Sequence, residues 1–342
     1  MAIHDYLITT RRVKNGLFEA EPGPVRYLRV PSAARKLKTD HELTGRGGTA
    51  RWIKKVQALA LSKINPLSVS RKGDILIFVH GYNNKPEEVL KRQRQLTADL
   101  DAEGWKGVVI GFDWPSDHHA LNYLEDRSDA AQVAMAMVSK GVTKLSECQA
   151  GGCQTNVHLL GHSTGAYVIM EAFAQAEKDG ELYKSDWRVG QVAFISADVS
   201  AESLNVTSNW SDPMFQRVMR LTNYANPFDS ILAISNAKRL GVSPKAGRVG
   251  LKEGADPKTI NVHCGDHFQT IDPAKAPSVG TFNHSWYIGD RVFARDLAMT
   301  LEGAIERHAI PTSVWDTHKG LCLREAQRPQ HSSSWNINQG IS

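Results

Sequence analysis

The chain predicts an α/β fold, a mostly parallel central sheet covered by helices on both faces. Short β-branched and aromatic runs at 75–79, 108–114, 157–160, 192–196 and 218–224 alternate with helix-length amphipathic stretches. A parallel sheet buried on both sides needs such continuous apolar runs, and each right-handed crossover between neighbouring strands carries a helix. The apolar runs also end in polar, turn-forming residues, and ligands of such sheets bind at the carboxyl ends of the strands. At one of those ends stands Gly161-His162-Ser163-Thr164-Gly165, between an apolar run and a stretch holding Ala166, Val168, Ile169, Met170, Ala172 and Phe173. A serine on a strained strand-to-helix corner needs small neighbours on both sides so that strand and helix can pass closely, which is the mechanical content of a G-x-S-x-G pattern.

Composition bounds the rest. With 342 residues, 41% hydrophobic and 23% charged, the chain can bury one large core or two small ones, as an ordinary globular enzyme does. No apolar run approaches a membrane span, residues 1–10 lack the apolar segment of a signal peptide, and no apolar stretch follows Arg11-Arg12, so a cytoplasmic location is expected. Four cysteines, Cys148, Cys153, Cys264 and Cys322, are too few and too scattered for a disulfide framework, and free thiols are expected. The net charge of +5 hides an asymmetry: residues 1–72 hold 15 Lys and Arg against 5 Asp and Glu, and the remainder 26 against 31. The expected organisation is a basic N-terminal extension over 1–72, a catalytic domain over 73–310, and a C-terminal tail over 311–342 that is partly disordered.

Taken in order, residues 6–10 and 25–30 are β-rich and read as edge strands, with Asn15-Gly16 and Pro22-Gly23-Pro24 as turn signals. Trp52, Ile53, Val56, Leu59, Ala60 and Ile64 fall on one helical face flanked by Lys54, Lys55 and Lys63. Such a helix can lie on a membrane surface, but its apolar face is wide enough to dock on the protein's own core. Residues 75–79 end in His80-Gly81-Tyr82-Asn83-Asn84, and Pro86, Glu87 and Glu88 open a helix whose Val89, Leu96 and Leu100 face a core. A helix is expected over 126–146, with Gly151-Gly152 after it, and Ile260-Asn261-Val262-His263 reads as the last strand. Asp290 caps a final helix carrying Phe293, Leu297, Leu301, Ala304 and Ile305 on one face.

A serine hydroxyl is a poor nucleophile until a histidine takes its proton, and that histidine needs a carboxylate to fix its tautomer and stabilise its charge. In a sheet of this kind the chain order is Ser, then Asp or Glu, then His. Ser163 comes first. The acid is Asp198 or Asp229, each at or just past a strand end, and the turn-forming loop after the later strand favours Asp229. The base is His284, on a loop shortly before the last helix, with His263 and His267 as rivals. His162 is too close in sequence to serve Ser163, and His118-His119 reads as a solvated loop pair. His263, Cys264 and His267 without a helix to align them make a weak metal set, so no metal and no cofactor is expected. Two backbone N–H groups should receive the developing oxyanion, those of Thr164 and Tyr82. His80, Trp114 and His162 are candidates for the pocket wall.

These residues together resemble the bacterial α/β-hydrolases long catalogued as a domain of unknown function. The matching pieces are residues 77–83, Phe112-Asp113-Trp114-Pro115-Ser116, the elbow, Ala197-Asp198-Val199, the Asp229 loop with Ser235 and Arg248-Val249-Gly250, and His284-Ser285-Trp286-Tyr287. Their joint order spans about 74–307 and is far more specific than any one piece. The resemblance implies an α/β-hydrolase fold with Ser163, Asp229 and His284 as the triad. Thr164 departs from the methionine that many similar sequences carry after the serine, a change that leaves the backbone donor in place.

Two functions of different class follow. One is a serine esterase or lipase acting on a small-molecule or lipid ester through an acyl-enzyme. The other is a non-catalytic hydrolase-like binding module recruited to a membrane surface or partner through its basic front. A basic helix such as that at 52–64 can also carry nucleic acid, but no nucleic-acid partner is expected.

Overall fold

The computed structural model describes residues 4–64, 73–116, 127–146, 155–238 and 244–329. His118-His119, Cys148, Cys153, Gly151-Gly152 and the polar residues 330–342 lie outside them. Ten strands form one sheet: β1 (His4–Lys14), β2 (Leu17–Pro31), β3 (Gly73–Val79), β4 (Val108–Asp113), β5 (Thr155–His162), β6 (Val189–Ile195), β7 (Val218–Ala225), β8 (Thr259–His263), β9 (Ser313–Asp316) and β10 (Gly320–Leu323). Their order is β2-β1-β4-β3-β5-β6-β7-β8-β10-β9. Only the edge strands β2 and β9 pair antiparallel with their neighbours.

In β3 the alternation that pleating imposes is visible. Ile75, Ile77 and Val79 enter a core shared with the helices Gly48–Ser62, Arg127–Ala136 and Thr164–Lys178, whereas Leu76 and Phe78 enter the opposite core, under Pro86–Ala102 and Arg291–Glu302. Both faces are covered, so β3 is apolar throughout. The helix expected over 126–146 runs from Arg127 to Ser146 through a wider π turn at Met137–Val142. The last long helix starts as expected, with the Asp290 side chain accepting from Phe293 N at 2.7 Å. It stops earlier than expected, because Gly303 adopts φ 63° and closes it, which leaves Ala304 and Ile305 outside.

The N-terminal residues belong to this sheet. Asn15-Gly16, at φ 51° and 75°, turn the β1–β2 hairpin, as such a pair does. Pro22-Gly23-Pro24, expected as a turn, instead runs within β2, where an edge position tolerates proline. β1, expected at the edge, lies one strand in and pairs parallel with β4. The helix Gly48–Ser62 docks through Trp52, Ile53, Val56 and Ala60, with the Trp52 indole donating to Leu28 O at 2.8 Å, and shows Lys54 and Lys55 to solvent. No described helix is long and apolar enough to cross a membrane.

Two expectations at the other end are corrected. The strand at 259–263 is not the last, and the stretch after 311 is not wholly a tail: β9 and β10 form a hairpin that pairs with β8. A buried carboxylate holds it there. Asp296 Oδ1 accepts from Tyr224 OH and from Arg307, both at 2.7 Å, and Oδ2 accepts from Thr312 at 2.8 Å and Ser313 at 2.7 Å. Arg307 and Asp296 are both fully buried. Removing one member of such a pair strands the other charge and costs about 3–5 kcal/mol. We expect Asp296→Ala to lose about that much unfolding free energy in urea titration. A loss under about 1 kcal/mol would show that the hairpin is held by something else.

Candidate active site

Ser163 stands between β5 and the helix Thr164–Lys178 at φ 56°, ψ −123°, a conformation that side-chain-bearing residues rarely adopt. Tight surroundings hold it. A Cβ on Gly165 would lie 2.2 Å from Val79 O, and one on Gly161 would lie 2.9 Å from Ala166 N. Both glycines of the pattern are therefore required by close passage of strand, helix and loop. Gly81 meets the same limit, since its Cβ would lie 2.8 Å from Ser163 Cβ. The loop after β3 thus runs directly alongside the serine. Ser163 N donates to Ile195 O at 3.0 Å, and Asp198 N to Ser163 O at 3.1 Å, which tie the elbow to the carboxyl end of β6.

Of the two candidate acids, Asp229 is the one that meets a histidine. It is fully buried, accepts from Leu232 N at 3.0 Å through Oδ1, and lies 2.8 Å from His284 Nδ1 through Oδ2. Asp198 instead pairs with the buried Lys245 at 2.8 Å. The rival histidines are also accounted for. His267 Nε2 faces both Asp290 oxygens at 3.1 Å, and His263 lies with Asp266 and Cys322 in a group whose donor atoms fall within 4.8 Å of one another. Both Asp266 oxygens accept from Lys319 Nζ at 2.7 Å, so that carboxylate already has a cation. Cys264, grouped with these histidines in the sequence, is buried and donates to Val262 O.

His284 is placed by its backbone as well as its ring. Its carbonyl accepts from His162 Nε2 and from Ser196 Oγ, each at 3.0 Å, and its ring lies 4.9 Å from that of His162, the residue before the serine. Because a carbonyl only accepts, His162 carries its proton on Nε2. Burial first, then the nearby His284 and Arg92, hold the His162 pKa well below its ordinary 6.5 and keep the ring neutral. Ser196 carried no signal in the sequence beyond its place at a strand end.

His80, Trp114 and His162, expected as pocket wall, are buried to 2% exposure or less and stand behind the loops. Except for His162 Nδ1, which is buried without a hydrogen-bond partner, their side-chain polar atoms are taken up within the protein. Trp114 N donates to His80 Nε2 at 3.1 Å, the Trp114 indole donates to His80 O at 2.7 Å, and the two rings stack at 5.5 Å. His80 Nδ1 then donates to Gly81 O at 2.8 Å. This fixes the Nδ1–H tautomer of a neutral ring. Burial lowers the His80 pKa in spite of the Asp113 carboxylate 3.4 Å from Nε2. Asp113 itself is pushed up by burial, but Arg11 and His80 more than offset this and hold its carboxyl below the usual range.

The arrangement defines an α/β hydrolase: a mostly parallel sheet, a serine on a strained elbow, and an acid–histidine pair farther along the chain, Asp229 on the loop after β7 and His284 in the one-turn helix Phe282–Ser285 rather than on the expected loop. Within that class, the chain belongs to the family described as alpha/beta hydrolase of unknown function (DUF900), which matches residues 57–297. No curated protein matches the chain in sequence. Among solved structures it is similar to a cutinase-like protein from Cryptococcus sp. (18% identity, 70% of this chain and 99% of that one, TM-score 0.35). It is also similar to a metagenomic carboxyl esterase (17% identity, 70% and 79%, TM-score 0.33). A third is the putative cell surface hydrolase from Lactobacillus plantarum (11% identity, 68% and 90%, TM-score 0.34).

The buried neutral histidines set a pH dependence. Their pKa values are lowered on folding, so below the unfolded value of 6.5 the unfolded chain binds protons that the folded chain does not. Their contribution is complete above 6.5 and is lost as pH falls from there toward the folded values. Asp99, raised by burial to about 6, acts in the opposite sense and gains stability for the folded state as pH falls below that value. With two histidines against one carboxylate, we expect the urea midpoint to decrease from pH 7 to pH 5.5. A midpoint that rises over this interval would contradict the neutral state of both rings.

Proposed function

We propose that the chain is a serine hydrolase that cleaves carboxylic esters through an acyl-enzyme on Ser163. The observation that carries this reading is the 2.8 Å contact between Asp229 and His284, with His284 packed against His162, the residue before the elbow serine. Asp229 accepts the Nδ1–H of His284, which leaves a lone pair on Nε2 to receive the Ser163 proton. The Ser163 oxygen then bonds to the ester carbonyl carbon, and the carbonyl π electrons move onto oxygen. The N–H groups of Thr164 and Tyr82 are the proposed donors to that oxyanion. Collapse breaks the bond to the alcohol oxygen, which leaves with the proton from His284. Water, losing a proton to the same Nε2, attacks the acyl carbon and restores Ser163 with release of the acid.

Exposed apolar residues favour a lipid-like acyl group over a small polar one. Phe228, next to the acid, is 44% exposed, and Ile231 and Ile234 on the following helix are 38% and 53% exposed. Phe228 stacks on Phe268 at 6.0 Å, and Phe268 stacks in turn on Phe282 at 5.3 Å, two residues before His284. The acid and base loops therefore share an aromatic flank that an alkyl chain could cover.

A fluorophosphonate probe should label Ser163, and Ser163→Ala should abolish both labelling and ester turnover, with a fall of kcat on the order of 10⁴-fold or more. Undiminished cleavage by Ser163→Ala, or an unlabelled wild-type serine, would favour the binding-module reading. Across p-nitrophenyl esters, kcat/KM should rise at least about tenfold from the acetate to the hexanoate, since each buried methylene contributes about 0.8 kcal/mol. A flat or falling series would exclude an apolar acyl site on this flank.

A further inference from the structure

The loop beside Ser163 is fixed from an unexpected direction. β1 runs parallel to β4 with Thr9 opposite Asp113, the last residue of β4, so Arg11 overshoots the end of its neighbour. Register shifts against β2 occur on both sides of Arg11. The residue is 1% exposed, so its guanidinium is committed to the interior. Nε donates to Asp113 Oδ1 at 2.8 Å, and one terminal nitrogen donates to Asn84 O at 2.7 Å and to Trp114 O at 3.0 Å. Thr9 Oγ1 donates to the other Asp113 oxygen at 2.7 Å, which completes that carboxylate.

The Asn84 carbonyl belongs to the loop that runs beside the serine, and Trp114 packs on His80 at the start of that loop. Asn84 closes the loop that begins at His80, and its side-chain amide donates to Gly81 O at 2.8 Å and Tyr82 O at 2.9 Å. Gly81 O also receives the His80 Nδ1 proton. A trans peptide is planar, with its C=O and N–H pointing in opposite directions. Clamping Gly81 O on one side therefore dictates the direction of the Tyr82 N–H on the other. We propose that Arg11 is a positioning residue for the oxyanion loop: it fixes the Asn84 and Trp114 carbonyls, and through Asn84 it sets the direction of the Tyr82 N–H beside Ser163. The inference rests on the serine-hydrolase reading above for its effect on rate, but its effect on the loop stands independently. It gives the first strand, which lies outside the 57–297 family match, a place in the active centre.

Arg11→Lys tests this in the full-length chain. A lysine keeps a charge near Asp113, but its ammonium cannot reproduce the planar fork that spans a carboxylate and two carbonyls. Asn84→Ala tests the downstream clamp without touching the buried charge. Both variants should lower kcat for ester cleavage by about 10²-fold with KM changed less than about threefold, the signature of a weakened oxyanion donor. The pH profile of kcat/KM should keep its shape, since the Asp229–His284 pair is untouched. Hydrogen exchange at the Tyr82 amide should accelerate in both variants relative to wild type, whether or not the ester tested is a substrate. A wild-type protein inert to esters would sink the hydrolase reading, while the exchange rates would still decide the clamp. If both variants fold cooperatively with wild-type kcat and wild-type exchange at Tyr82, the proposal is overturned. A lowered melting temperature with unchanged kcat and exchange would likewise overturn it, by making Arg11 a purely structural residue.

Discussion

Crowding around Ser163 is the constraint on which the rest of the molecule depends. A serine at φ 56° is held in a sparsely allowed region, at a cost of order 1–3 kcal/mol, so its neighbours must over-determine it. They do so by leaving no room. Three glycines, Gly81, Gly161 and Gly165, let the β3 loop, β5 and the following helix approach to distances that no Cβ would permit. The consequence is geometric: once these three segments meet at one point, the carboxyl ends of β3, β5 and β6 are fixed relative to each other. The acid and base loops then need only reach a point that already exists.

This explains why the elbow and the Asp229–His284 contact were more legible in the sequence than the sheet that carries them. A strained elbow imposes glycines at set spacings, and a triad imposes a chain order, so both leave marks that composition cannot blur. β3 and β5 were equally legible, because burial on both faces forces an unbroken apolar run. The strands that went unrecognised are β10, which buries only Leu321 and Leu323, too short an apolar run to stand out, and β9, which is anchored by polar burial. Thr312 and Ser313 look like tail residues, yet both are buried against the Asp296 carboxylate, whose partner Arg307 is also fully buried. A hydropathy pattern cannot show that a charged residue is interior when its compensating groups come from distant positions in the chain. Arg11 is the same case at the other end, because its partner Asp113 is 102 residues away.

Polar burial and catalytic geometry are connected here. The ring of His80 is neutral because it is buried and because Trp114 N–H can only donate to it, and that assignment leaves Nδ1–H for Gly81 O. Asp113, next to it, remains charged because Arg11 compensates it. An added proton fits neither group: a neutral Asp113 would leave the Arg11 charge buried without a counter-ion, and a cationic His80 would lose Trp114 N–H as a donor. The charge distribution and the hydrogen-bond directions are therefore mutually consistent in one state only, which makes the loop a fixed feature of the folded protein.

The same pairing changes how the basic front of the chain should be read. An excess of ten positive charges over residues 1–72 suggests an exposed cationic extension when only the sequence is counted. In the folded protein Arg11 is internal and neutralised by Asp113, Arg26 pairs with Glu42 at 2.5 Å, and Lys63 reaches Asp101 at 3.3 Å. Arg51 is turned onto the carbonyls of Thr44 and Arg46. Two of these partners, Asp113 and Asp101, come from the acidic body, so part of the asymmetry between the two segments cancels on folding. Exposed pairs contribute little to stability, but each reduces the field that a surface presents. The positive charge of this segment thus divides between a structural share, which builds the sheet edge and reaches the loop beside Ser163, and a larger remainder on residues such as Lys14, Lys36, Lys38, Lys54 and Lys55 that face solvent.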